Sequence, residues 1–129
     1  MNEKLTTKLH KEFPELYKYK LSFEHNDGWY DIIYNLSKKI YDICKEKGYE
    51  IPIAMQVKEK FGTLRFYIDS GYGEIYDAID KAEKLSEITC EVCGEPGITR
   101  NNHGWYTTLC DEHQEDRYGR LEKSWWKLG

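Results

Sequence analysis

Apolar positions recur along this chain with two different periods, and the switches between them divide it into elements. Trp29, Ile32, Ile33, Leu36, Ile40, Ile43 and Cys44 step by threes and fours, the spacing that puts side chains on one face of a helix. Asn26 or Asp27 stands where an N-cap is wanted and Gly48 where a helix can end in a left-handed residue, so a helix between them is expected. Cys44 lies on its apolar stripe and reads as a small buried hydrophobe. The period then changes to two. Ile51, Ile53, Met55 and Val57 point one way, and Leu64, Phe66 and Ile68 do so after a charged turn, which predicts a hairpin over 51–69 with one buried face. A turn at SGYGE, residues 70–74, leads to a second helix carried by Ile75, Ala78, Ile79, Ala82 and Leu85. Before all of this, Leu5, Leu9, Phe13 and Leu16 mark a partial amphipathic face interrupted at Pro14. That segment is expected to pack loosely, with LSFEHN (21–26) as a linker.

The last third departs from both periods. Cys90 and Cys93, then Cys110 and His113, form two pairs of ligand-type residues, each with two residues between them. That separation lets both side chains of a pair reach one tetrahedral ion, so the four residues outline a zinc site. Gly94 follows the first pair, where a metal knuckle must turn sharply. Ile98, Trp105, Tyr106, Thr107 and Thr108 flank the turn-forming Asn101, Asn102, His103 and Gly104, a short hairpin. The second pair opens a helix with Asp111 and Glu112 in its first turn, and Gln114, Tyr118, Leu121, Trp125 and Leu128 give that helix a burying face. His103 is the alternative fourth ligand, but His113 already shares a helical face with Cys110. Knuckle, hairpin and ligand-bearing helix in this order resemble the treble-clef zinc arrangement. The fold expected is α+β: a helix, β-hairpin, helix core (1–86) continuous with a treble-clef-like zinc unit (87–129). Ser86 to Thr89 contains neither proline nor glycine, so one continuous body is expected.

Composition narrows the function classes. The 129 residues carry a net charge of −4, with +1 on residues 1–48, −2 on 49–86 and −3 on 87–129. An acidic balance works against nucleic acid, whose affinity comes from cations that neutralise phosphates. No apolar run approaches the length of a membrane span and the start is not signal-like, so a protein of a reducing cytoplasm, with thiols and not disulfides, is expected. The outward face of the 51–69 hairpin would carry Gln56, Lys58, Arg65 and Tyr67, with Lys60 and Phe61 at its bend. It is either a solvated sheet face or a cationic-aromatic surface for a partner's carboxylates or a phosphate.

The strings DGWYDII, QVKEKFGTLRFY, AEKLSEITCEVCGEPG and GWYTTLCDEH, in this order from about Leu21 to His113, resemble a group of small proteins from bacteriophage and prophage genomes. The resemblance implies a phage-associated protein of the bacterial host cytoplasm, with Cys90, Cys93, Cys110 and His113 as metal ligands. It supplies no substrate. Four protein ligands leave a zinc ion no open position, so no enzymatic activity is expected. His103 in RNNHGWY invites comparison with His-Asn-His nucleases, but the helix that follows begins DEHQED and offers no basic approach to DNA. Two readings follow from different classes. One is a zinc-stabilised module that binds a host protein, such as a defence factor, and inhibits or redirects it through a tyrosine-rich surface. The other is nucleic-acid binding through Lys58, Lys60, Arg65 and Arg100 with tyrosines stacking on bases.

Overall fold

In a computed structural model that describes residues 1–119, the two periodic stretches take the expected shapes. After α1 (Glu3–Glu12) the chain forms a short strand β1 (Phe23–Glu24) and a 3₁₀ turn (Asp27–Trp29) that feeds α2 (Tyr30–Lys47). The hairpin β2 (Ala54–Lys60) and β3 (Thr63–Ile68) and helix α3 (Gly73–Ser86) follow, then a second hairpin, β4 (Ile98–Asn102) and β5 (Trp105–Leu109), and α4 (Asp111–Tyr118). The fold is α+β, with a three-stranded sheet in the order β1-β2-β3 and a separate two-stranded sheet. The face expected on Leu121, Trp125 and Leu128 lies outside the described residues.

The stripe on α2 buries Ile32, Ile33, Leu36, Ile40, Ile43 and Cys44, and Gly48 ends the helix at φ +71° with its N–H on the Cys44 carbonyl. Neither expected cap acts on α2. Asn26 makes no side-chain cap bond, and the Asp27 carboxylate instead accepts from the backbone and side-chain nitrogens of Asn2, at 2.7 and 2.9 Å. The first turn is a 3₁₀ turn because Gly28 and Trp29 are held elsewhere, as described below.

Three expectations are corrected. The N-terminal segment is core and not a loose appendage: Leu9, Phe13, Leu16 and Tyr17 are buried, and the Tyr17 hydroxyl meets Ser37 Oγ at 2.6 Å. Phe13 packs edge-on against Tyr34 and Tyr41, and the Leu16 carbonyl accepts from the Ala54 N–H at 2.8 Å. Residues 21–26 are not a linker. Phe23 pairs in parallel with Val57 and is buried, one apolar position being too few to show a period. In β2 an irregularity between Ala54 and Gln56 breaks the alternation, so Ala54 turns inward and Met55 is 53% exposed. A bulge of this kind shifts every side chain before it to the other face.

Helix α3 closes the free edge of the sheet. Ser86 Oγ accepts the Leu64 N–H at 2.9 Å and Glu83 Oε2 accepts that of Phe66 at 2.9 Å, satisfying donors that would otherwise template another strand. Ser86, not Leu85, therefore takes the inward position, and Leu85 is left 48% exposed.

His25 is buried beside Phe23 and Trp29, with Nδ1 2.7 Å from the Asn26 carbonyl and Nε2 without a partner. Desolvation lowers its pKa to about 4. The unfolded imidazole, with its ordinary value near 6.5, therefore binds more protons between these limits. Stability from this group is complete above about pH 6.5 and is lost as pH falls towards 4, by about 3 kcal/mol. Urea titrations at pH 7.5 and 4.5 should show that dependence shrinking in His25→Gln.

Candidate metal centre

The metal ligands are assembled from three local structures. Cys90 and Cys93 flank a knuckle closed by the Gly94 N–H on the Cys90 carbonyl at 2.9 Å, with Gly94 at φ +83°. The knuckle is anchored on both sides, since Cys90 N–H donates to the Glu95 carbonyl at 2.7 Å and Glu91 N–H to that of Thr108 at 3.0 Å. Cys110 is the N-cap of α4, its sulfur 3.5 Å from the His113 amide. His113 comes one turn later on the same helix, with Nδ1 facing the sulfurs.

These four residues offer ligand atoms that all lie within 4.8 Å of one another. Sulfurs held tetrahedrally at about 2.3 Å from one ion stand about 3.8 Å apart, and a sulfur and an imidazole nitrogen about 3.6 Å. Cys93 and Cys110 are 3.8 Å apart, and His113 Nδ1 is 3.7 Å from Cys90 and 3.1 Å from Cys110. The cluster fits one tetrahedral ion, and its softness suits a thiolate-binding metal. Burial opposes ionisation of Cys90, but amide hydrogen bonds from Cys110, Cys93 and Val92 outweigh it and bring the thiol down to about 7. Cys93 is pushed up to about 11 by desolvation and by the adjoining Cys90 and Cys110 sulfurs. Three sulfurs this close ionise together only around a cation, which reverses that preference.

His103 is not in the cluster. It occupies the tip of the β4–β5 hairpin at φ +57°, followed by Gly104 at φ +86°, the paired left-handed conformation of a tight two-residue turn. Arg100, expected among the nucleic-acid contacts, is turned into the unit: its guanidinium donates to the Leu109 carbonyl at 3.0 Å and to Asp111 at 2.6 Å. Behind the hairpin, Gln114 donates to Asn102 at 2.7 Å and Asn102 to Thr107 at 3.2 Å. This buried polar chain fixes α4 against β4 and β5.

Gly28 and Glu91, not singled out in the sequence, lock this unit to the rest of the protein together with Asn26 and Trp29, which the sequence marks only as a cap and a stripe residue. Gly28 N–H donates to the Glu91 carbonyl at 2.7 Å, Trp29 Nε1 to that of Thr89 at 3.0 Å, and Asn26 N–H to Glu91 Oε2 at 3.0 Å. A Cβ on Gly28 would stand 2.5 Å from the Glu91 carbonyl oxygen and closer still to that of Cys90. A glycine inside the opening turn of a helix was the available signal, since such a residue marks a close backbone approach. On the far side, Thr108 Oγ1 donates to the Gly62 carbonyl at 2.7 Å, which seats β5 on the tip of the β2–β3 hairpin.

The residues expected as a contact surface do share one face. Lys58 stands opposite Arg65, Gln56 opposite Tyr67 and Lys60 opposite Thr63, while Val57 and Phe66 fill the other side. Lys60 Nζ lies 5.5 Å from the Phe61 ring centroid. Comparison with protein-family models, curated proteins and solved structures returns no match.

Two outcomes test the centre. Purified protein should hold one equivalent of metal after His103→Ala but bind it far more weakly after His113→Ala, while His113→Cys should restore it. Cobalt substitution monitored by thiolate charge-transfer absorption distinguishes the three. Gly28→Ala should cost more than about 2 kcal/mol, the range of a severe backbone clash, and lower the melting temperature although it touches no ligand side chain.

Proposed function

We propose that the chain is a protein-interaction module braced by zinc, with the outer face of the β2–β3 hairpin as its contact surface. Zinc is the ion this donor set suits best: three thiolates and an imidazole in a closed tetrahedron match its structural sites, and it brings no redox chemistry. The four ligands leave no position for a reacting water, which supports a structural role over catalysis.

One observation carries the reading of the surface. Lys58, Lys60 and Arg65 lie on one sheet face, and none is within ion-pair distance of a carboxylate among the described residues, where the closed pairs are Asp80–Lys84 and Arg100–Asp111. Lys58 and Arg65 are direct cross-strand neighbours, and although Arg65 is near enough to Glu83 to favour its charged form, the like-charge pairing on the sheet is relieved further by an anion that covers it. Beside them Phe61 is 64% exposed at φ +54° and Tyr67 is 45% exposed. The left-handed φ of Phe61, followed by Gly62 at φ +83°, belongs to the tight two-residue turn of the hairpin and presents the ring at its tip.

The partner that suits this face is an acidic segment of another protein, engaged by cations at the rim and aromatic rings at the centre. The resemblance to phage proteins directs the search to the bacterial host cytoplasm and to host proteins such as defence factors. No helix among the described residues is long and apolar enough to cross a membrane. Nucleic acid is the weaker reading, because Arg100 is engaged within the metal unit and the chain is net acidic, at −4.

Cross-linked pull-down from a bacterial lysate should recover one stoichiometric protein that survives nuclease treatment. Lys58→Glu with Arg65→Glu should weaken its capture by about tenfold or more, with metal content and melting temperature retained. Binding that instead follows single-stranded nucleic acid and falls steeply with salt would overturn the proposal.

A further inference from the structure

A second surface lies on the opposite side of the core, independent of the hairpin face. Trp29, just before α2, donates to the Thr89 carbonyl beyond the end of α3, and Tyr49, just past α2, stacks on Tyr72 at the head of α3 with ring centroids 3.8 Å apart; between the two helices runs a groove of about 650 Å³. The two helices are therefore antiparallel. Ile32, Leu36 and Ile43 of α2 and Ala78 and Ala82 of α3 line its floor. The alanines leave the space open, since a larger side chain at either position would fill it.

The groove's charges are arranged along its length. Lys39 and Lys81 flank the middle, Asp31 lies at the knuckle end, and Glu46, Glu74 and Asp77 outnumber Lys47 at the other end, which is therefore net negative. Asp77 and Lys81 have the same i,i+4 spacing as Asp80 and Lys84, which close at 3.1 Å on the outer side of the same helix. Yet in the groove neither Lys81 nor Lys39 is within ion-pair distance of a carboxylate among the described residues. Apolar surface continues past the groove at the knuckle end, where Leu85 and Ile88 are 48% and 62% exposed.

The lined part of α2, from Asp31 to Lys47, is about 24 Å long at 1.5 Å per residue. That is the length of another helix and several times that of a small ligand. Among the described residues a second copy of this chain has no helix to offer, because α1, α2 and α3 turn their apolar residues into its own core and α4, over Asp111–Tyr118, buries Gln114 alone. We infer that this groove receives one amphipathic helix of a different protein. That helix lays an apolar stripe on the α2–α3 floor, places carboxylates at its centre against Lys39 and Lys81, and carries bases at the end over Glu46, Glu74 and Asp77.

The probe is a fluorescein-labelled 18-residue synthetic helix with leucines at i, i+3, i+4 and i+7 steps, glutamates at its centre and lysines at one terminus. Versions with the lysines at either terminus set its direction. Anisotropy with the full-length, metal-loaded protein should give a Kd on the order of micromolar for one direction. Lys39→Glu with Lys81→Glu should weaken it by about tenfold or more and gain affinity for a lysine-centred probe. Lys58→Glu with Arg65→Glu should leave probe binding unchanged, so loss at one surface is read separately from loss at the other. The inference is overturned if neither probe binds, or if the double charge reversal leaves affinity unaltered. It is also overturned if dodecanoate binds the groove where helices do not, or if the protein dimerises and Lys39→Glu abolishes that.

Discussion

The contact between Gly28 and the metal knuckle is the constraint on which the rest of the structure depends. Two backbones meet there with no side chain between them: the Gly28 N–H donates to the Glu91 carbonyl at 2.7 Å, and the Gly94 side of the knuckle lies against the Gly28 carbonyl. Trp29 is consequently fully buried, with its indole N–H on Thr89. The start of α2 is a 3₁₀ turn because these two residues answer to the knuckle before they answer to the helix. Metal ligation and helix packing are thus coupled through a few backbone hydrogen bonds, and free energy gained at the sulfurs is transmitted to the core.

The knuckle itself is oriented by the second hairpin. Thr108 connects to Gly62, and a Cβ on Gly62 would come within 3.1 Å of the Thr107 nitrogen. Glycines at positions 28 and 62 therefore admit the metal unit from two sides, one at the head of α2 and the other at the tip of the β2–β3 hairpin. Phe61 shares that tip and takes a left-handed conformation, so its exposed ring is fixed by the same turn that seats β5. This gives a physical route by which an ion held by the cluster would organise a surface made of residues that do not bind it.

What could be read from the sequence was whatever repeats or pairs over a short span. The stripe from Trp29 to Cys44, the α3 stripe and the two ligand pairs each declare themselves within a few residues, because helix periodicity and chelate spacing are local properties. The misread positions depend on distant partners. Phe23 is a strand residue only because Val57 is beside it, and Leu9 and Leu16 are core only because α2 and β2 cover them. Met55 faces outward because of an irregularity in its pairing with β3. Arg100 looked like a free cation until Asp111 and the Leu109 carbonyl were placed around it. Spacing already favours His113, which shares a helical face with Cys110, over His103, and the cluster includes His113 while His103 turns the hairpin with Gly104.

The location of the ligands fits the bracing role proposed above. Cys90 is fully buried, its neighbour Glu91 is buried with a backbone hydrogen bond from Asn26, and Cys110 caps the helix that carries His113. Each ligand therefore also has a structural task, and displacing one for catalysis would unseat a knuckle, a cap or a helix. A reactive ion needs the reverse arrangement: ligands held by other groups, a vacant position and a nearby base free to move a proton. Here the nearest buried carboxylate, Glu91, already accepts from Asn26 and is turned towards the core contact, so chemistry at the ion would come at the expense of the fold it holds.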